Sequence, residues 1–287
     1  MSVLLPLLLG LMMFTMGLTV TPNDLRRILV TPLPILLGLS CQLLLLPLLG
    51  FAIAQMFAMS PALQMGFIAI CACPGGVLSN YIAFKARGTV ALSVSLTLIS
   101  SLVTVFTIPL ILNIAQGMIG LDRTAIALPL VDTMLSVGRI TVLPIAAGML
   151  LRQHFPTVSL KLSQLLGRFC SLALVAYILY LWLSQREAIL AAAQEVGAAV
   201  VVLVLLVSVL VYVVCRILRI DSQDRATLII ETSIQNSALA FTVTAVLMNN
   251  TLYAIPTVFY SVAMFLPAVV LIYLGRKSSA GAVPAGL

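Results

Sequence analysis

Glu231 lies inside an apolar stretch, Ile229-Ile230-Glu231-Thr232-Ser233-Ile234-Gln235-Asn236-Ser237-Ala238-Leu239-Ala240-Phe241, and five polar residues follow it within six positions. A carboxylate in such a setting is costly unless a partner neutralises it, which marks an ion or proton site. Ser93, Thr97, Ser101 and Thr104 recur at intervals of four, four and three, which puts their hydroxyls on one helical face. Ser93 and Thr97 read as cation ligands, whereas Ser101 and Thr104 fit equally well as hydroxyls bonded back to their own helix. A third polar group is Cys73-Pro74-Gly75-Gly76-Val77-Leu78-Ser79-Asn80. Pro74 removes a backbone donor and clashes with the preceding turn, so the helix must break there. Unwound backbone at membrane depth survives only where protein buries it or where it lines a cavity. One carboxylate among neutral oxygen donors suits a hard monovalent cation or a proton.

Other chemistries find no support. The five cysteines, Cys41, Cys71, Cys73, Cys170 and Cys215, all lie in apolar segments and read as small buried hydrophobes. Cys71 and Cys73 have C-x-C spacing but no His or Cys partner, and the lone His154 sits in a basic connection. No metal-ligand cluster, nucleophile–base pair or phosphate loop is visible, so the chain reads as a non-enzyme.

The elements that must position Glu231 are membrane helices. The 287 residues are 62% hydrophobic and 8% charged, against roughly 25% charged in a soluble domain. The pattern predicts nine spans: about 2–20, 32–57, 62–86, 89–115, 125–150, 163–184, 196–218, 225–248 and 256–275. The first run lacks a basic segment before it and a small-residue cleavage site after it, so it is expected to be retained as a span. Twelve of the fifteen basic residues fall in connections on one side: Arg26, Arg27, Lys85, Arg87, Arg152, Lys161, Arg168, Arg216, Arg219, Arg225, Arg276 and Lys277. Only Arg123 and Arg186 fall on the other, and Arg139 lies within the fifth span. The positive-inside rule then predicts an outer N-terminus and a cytoplasmic C-terminus in a cell membrane. The net charge of +7 reflects that topology and is not a nucleic-acid footprint. Polar interruptions at matching depth in the third and eighth spans point to a transporter site near the midplane of two repeats.

At these residues the chain resembles the bile acid:sodium symporter family. The first span carries Gly10, Met13, Phe14, Met16, Gly17, Leu18 and Thr19 in the spacing G-x-x-M-F-x-M-G-L-T, followed by Asp24-Leu25-Arg26-Arg27. The second carries Gln42, a Leu run and Pro47. The third carries P-G-G-x-x-S-N from Pro74 to Asn80, then Lys85-Ala86-Arg87-Gly88 and Ala91-Leu92-Ser93-Val94. The eighth carries E-x-x-x-Q-N-S at Glu231, Gln235, Asn236 and Ser237. The resemblance runs from near residue 7 to the end of the ninth span.

The resemblance implies an all-α transporter unit built as an inverted repeat of four and five helices. The panel would comprise residues near 1–31 and 125–184, the core those near 32–115 and 196–275, and residues 276–287 a cytoplasmic tail. The two discontinuous helices would cross in the core. Two sodium ions are implied at the crossing. The first would be held by Ser79, Asn80, Ser93, Thr97 and Glu231. The second would be held by Gln42, Glu231, Gln235 and the carbonyls of Thr232 and Ile234. Two monovalent ions sharing one carboxylate leave a local charge of about +1, and the half-helix N-termini add to it. An organic anion completes that balance, with Asn236, Val77, Leu78 and Ser237 as its candidate contacts.

Departures bear on the substrate. Val77 stands where many bacterial relatives have Thr. Thr232-Ser233-Ile234 replaces a common Val-Gly-Met, and Ser261 to Pro267 lacks a common His-Asn pair. The expected cargo is therefore a bile-acid-like anion or a different small carboxylate metabolite. Three rivals stay open: a proton-coupled or uncoupled carrier in which Glu231 titrates, an ion channel, and a membrane-embedded enzyme. Asp132 and Arg139, seven residues apart and thus about 10 Å along one helical face, fit an anchoring ion pair or an anion contact.

Overall fold

A computed structural model describes residues 3–21, 32–121 and 129–280, with side chains as far as 275. Asp24, Arg26, Arg27 and Arg123, and the side chains of Arg276 and Lys277, lie outside the described residues, and the expectations placed on them with them.

The described chain is helical, and its one extended pairing is a bridge between Gly75 and Gln235. The helices run α1 Leu4–Gly17, α2 Pro32–Met56, α3 Pro61–Ala72, α4 Val77–Lys85, α5 Val90–Ile119 and α6 Leu130–His154. They continue as α7 Pro156–Ser184, α8 Arg186–Ile217, α9 Ser222–Ser233, α10 Ser237–Leu247, α11 Ile255–Ala263 and α12 Phe265–Ala280. Among the described residues six helical stretches are long and apolar enough to cross a membrane: α2, α5, α6, α7, α8 and Thr251–Gly275. Three shorter apolar helices are α1, α3 and α10. The chain is thus a multi-pass membrane protein.

Two expected boundaries move. The helix expected from about 163 starts at Pro156, because proline suits the first helical position and only Phe155 separates it from α6. The helix expected from about 196 starts at Arg186, before the apolar run, and absorbs the polar Gln194-Glu195 pair in a widened π turn over Ala193–Gly197. A second π turn, Cys41–Leu45, sits in α2. It lies just before Pro47, which has no N–H to offer the carbonyl four residues back, and the widened turn accommodates that loss.

Both interruptions occur where sequence chemistry asks for them, by different means. Cys73 is extended (φ −73°, ψ 154°) because it precedes Pro74. Ile234 is extended (φ −102°, ψ 106°) without any proline or glycine beside it. There the side chains compete for the backbone. Thr232 and Ser233 bond back to Leu228 and Ile229 carbonyls at 2.7 and 2.6 Å. Asn236 caps α10 by accepting the Leu239 N–H at 3.1 Å.

Packing sorts the helices. α1 lies chiefly against α6 and then α7, and Gly17 meets Gly148 across the first pair: a Cβ on Gly17 would overlap the Ile145 carbonyl oxygen. A large apolar cluster joins α2, α3, α5, α8 and α9 and takes in α1 and α6 through Leu9, Met13, Met16, Val137 and Ile145. A smaller cluster of Leu5, Tyr177, Leu181, Phe241, Ala254 and Val258 ties α1 and α7 to α10 and α11.

Candidate functional site

The site forms where the chain between α3 and α4 meets the chain between α9 and α10. The Asn236 N–H donates to the Pro74 carbonyl at 2.9 Å. Gly75 pairs with Gln235. A side chain at Gly75 would not fit, since its Cβ would stand 2.5 Å from Glu231 Oε2. The Pro-Gly-Gly run therefore breaks the helix and clears room for the carboxylate at once.

Glu231 projects from the last turn of α9 and is only 3% exposed. Ser79 of α4 donates to Oε1 at 2.6 Å. Ser93 of α5 donates to the same oxygen. Thr97, one turn further along α5, donates to Oε2 at 2.9 Å. Asn80 Oδ1 stands 2.8 Å from the Ser93 hydroxyl and 3.4 Å from that of Thr97, an alternative acceptor for each single proton, without touching Glu231 itself. Three elements thus converge five oxygen-bearing side chains, Ser79, Asn80, Ser93, Thr97 and Glu231, into one buried cluster. Its chemistry is one carboxyl group ringed by neutral hydroxyl and amide oxygens whose lone pairs can turn toward a cation. Ser101 and Thr104 stand apart, donating to the carbonyls of Thr97 and Ser101 in their own helix at 2.6 and 3.1 Å.

Gln42 and Gln235 form a second, adjoining cluster. Gln42 Nε2 donates to Gln235 Oε1 at 2.7 Å and to the Cys73 carbonyl at 2.8 Å. Gln235 Nε2 donates to the Thr232 carbonyl at 2.8 Å. The expected second-ion ligands are therefore adjacent, but the Thr232 carbonyl is taken by a side-chain amide. Ile234 is fully buried beside them. The π turn in α2 carries Gln42.

The candidate substrate contacts divide. Asn236 is buried, and its Nδ2 has no hydrogen-bond partner, while its Oδ1 serves the α10 cap. Ser237 accepts from Ser261 at 2.8 Å, so this hydroxyl pair occupies the region where the His-Asn pair is lacking. Val77 and Leu78 open α4 and are half-buried. Tyr260, which sequence reading passed over, donates to the Ser233 carbonyl at 3.0 Å and braces the end of α9. The Cys73 and Pro74 carbonyls were also passed over, since a backbone atom carries no residue-type signal. Asp132 and Arg139 are both exposed, and no ion pair joins them.

Comparisons with known proteins bear on the family of the chain. A profile described as the Sodium Bile acid symporter family matches residues 6–193, a segment that includes Gln42, Ser79, Asn80, Ser93 and Thr97. The chain is 29% identical over 262 residues to a probable chloroplastic sodium/metabolite cotransporter of Oryza sativa subsp. japonica, covering 90% of this chain and 60% of that protein. It is 26% identical over 255 residues to an uncharacterized sodium-dependent transporter of Bacillus subtilis (strain 168), covering 88% of this chain and 77% of that one. It is 32% identical over 184 residues to the ileal sodium/bile acid cotransporter of Oryctolagus cuniculus, covering 62% of this chain and 52% of that one. The chain thus spans less than two thirds of the length of the rice protein. With a match over most of its length and a carboxylate–hydroxyl cluster at crossed helix breaks, the chain belongs to the sodium bile acid symporter family.

Proposed function

We propose that the protein is a sodium-coupled secondary symporter of an organic anion, working by alternating access. The observation that carries this reading is the buried Glu231 carboxylate, whose hydrogen-bond partners are three hydroxyls with no basic group among them. Such a group is neutralised in a low-dielectric interior by a proton or a compensating cation, and the ring of oxygen donors suits sodium. The relatives named as sodium-dependent carriers support the same reading. Sodium is co-transported cargo here, drawn in by the site rather than resident in it.

Two ions are assigned. The first takes Ser79, Asn80, Ser93, Thr97 and Glu231. The second takes Gln42, Glu231, Gln235 and the carbonyls of Thr232 and Ile234; the Thr232 carbonyl accepts from the Gln235 amide and keeps a second lone pair for the ion. The pair of ions draws α4 and α10 together at their N-termini. An organic anion then docks there, and the orphaned Asn236 Nδ2 donates to it. Bile acid or a smaller carboxylate metabolite fits this chemistry.

The proposed architecture is nine spans in an inverted repeat of four and five helices, counting α3–α4 and α9–α10 as one interrupted span each. Paired local features support it. Left-handed residues follow two positions after α2, α4, α8 and α10, at Ala58, Arg87, Arg219 and Asn249. The corresponding helices α2 and α8 each carry a π turn. α1, α6 and α7 form the panel, and the other helices form the core. Both proposed termini follow the charge asymmetry, with the N-terminus outside the cell membrane and the C-terminus in the cytoplasm.

The test is uptake and thermal stability of reconstituted protein against a panel of organic anions, with sodium or choline and across pH. Uptake that follows sodium at constant pH is expected. Uptake indifferent to sodium but following pH would establish the rival in which Glu231 titrates.

A further inference from the structure

An open groove of about 650 Å³ runs between α1 and α6, and none of the residues of the proposed ion sites lines it. Leu7, Gly10 and Phe14 of α1 and Ile140 and Pro144 of α6 line it, and Arg139 is the one charged residue in the described lining. Arg139 stands nine residues into α6, about 13 Å along the axis from Leu130, inside a stretch apolar enough to cross a membrane. A guanidinium at that depth is held only by a partner or by snorkelling to the interface. Among the described residues none pairs with it. Asp132 lies two turns away on the same helix, too far to touch it, and is itself exposed.

We propose that this groove binds an anionic phospholipid, with an acyl chain against the apolar walls and the phosphate on Arg139. Charge complementarity selects the occupant. The planar guanidinium forks onto phosphate in a two-bond geometry that a zwitterionic headgroup, with its own cation, satisfies poorly. A free small anion lacks the acyl chain that covers the apolar walls, so the groove holds it less tightly than a lipid whose phosphate meets a snorkelling Arg139. A second copy of the chain offers no counter-charge either, because two copies with the same membrane orientation place Asp132 about 10 Å from Arg139 in depth. Gly10 forms part of the floor: a Cβ there would come no closer than 3.8 Å to Pro144, which leaves the space an acyl chain occupies. This site stands apart from the proposed ion sites and does not depend on them.

The test is lipid retention. Full-length protein is reconstituted in mixed phosphatidylglycerol and phosphatidylcholine, re-extracted in mild detergent, and its co-purifying lipid is quantified by mass spectrometry. Wild-type protein is expected to retain phosphatidylglycerol selectively, by roughly tenfold, the equivalent of one charge-assisted contact. Arg139→Gln removes the selectivity, Arg139→Lys keeps part of it, and Gly10→Leu, which fills the floor, lowers total retention while melting as a folded protein. Soluble glycerol phosphate in excess leaves the bound lipid in place. Equal retention of both lipids by wild-type protein, unchanged selectivity in Arg139→Gln, or displacement by glycerol phosphate overturns the proposal; the last assigns the site to a free anion.

Discussion

Glu231 is the shared acceptor of hydroxyls from α4 and α5, and the proposed transport rests on it. Replacing it by Gln keeps the shape and removes the charge. Sodium-dependent uptake is then expected to fall by about a hundredfold or more, the worth of an interaction with a fully charged buried partner. Sodium-dependent thermal stabilisation should vanish in the same variant, and its persistence would sink both ion sites. Ser93→Ala and Thr97→Ala each remove one oxygen from the cluster, so the sodium concentration for half-maximal uptake should rise roughly tenfold. Ser101→Ala serves as the control, since its hydroxyl serves only its own helix, and its sodium curve should match that of the unaltered protein.

The breaks and caps decide whether those groups meet. Gly75→Ala puts a methyl group where Glu231 Oε2 lies, 2.5 Å from the new carbon. The variant should reach the membrane and lose uptake together with sodium stabilisation, whereas Gly76→Ala, whose Cβ would meet nothing closer than 3.5 Å, should retain both. At the start of α9, Asp221 accepts the N–H groups of Gln223 and Asp224 at 2.9 and 3.0 Å. Its burial alone raises its pKa, yet these bonds and the nearby Arg225 outweigh that and leave it below the ordinary carboxylate value. A lowered folded-state value means the cap stabilises above the unfolded pKa of about 4 and fades as pH falls through the folded one. Asp221→Ala should cost about 1 kcal/mol at neutral pH, read as a lower melting temperature, and the gap should close in acid.

Taken as one object, the molecule joins a helical group of α1, α6 and α7 to the helices around the crossing. The backbones of α1 and α6 approach closely at Gly17 and Gly148. Gly17→Val would force them apart, and overpacking of this kind costs about 1–3 kcal/mol. If the panel moves as a unit, that variant should lose stability and slow uptake while the sodium dependence of its thermal shift stays intact. A variant with altered sodium affinity would instead tie this contact to the ion sites.

Much of this was legible in residue order. Apolar runs and the distribution of Lys and Arg pointed to a multi-pass membrane protein, because lipid forces nearly every span to be apolar. The oxygen-bearing residues were legible because a carboxylate and a proline-glycine break are anomalous inside such spans. Which oxygens meet was decided only by the fold. Ser79 and Glu231 are 152 positions apart, and no local periodicity relates them. The fold also gave Gln235 the Thr232 carbonyl, left Asn236 Nδ2 unpartnered, and placed Arg139 in a groove between α1 and α6. The break in α9–α10 shows the division well. Its polar residues were visible in sequence, but the pairing of Gln235 and Asn236 with Gly75 and Pro74 across the break was set only by the fold. Sequence by itself determined that a carboxylate lies within an apolar membrane segment, since composition sets solvation. Tertiary structure decided its partners, since long-range contacts are set by packing.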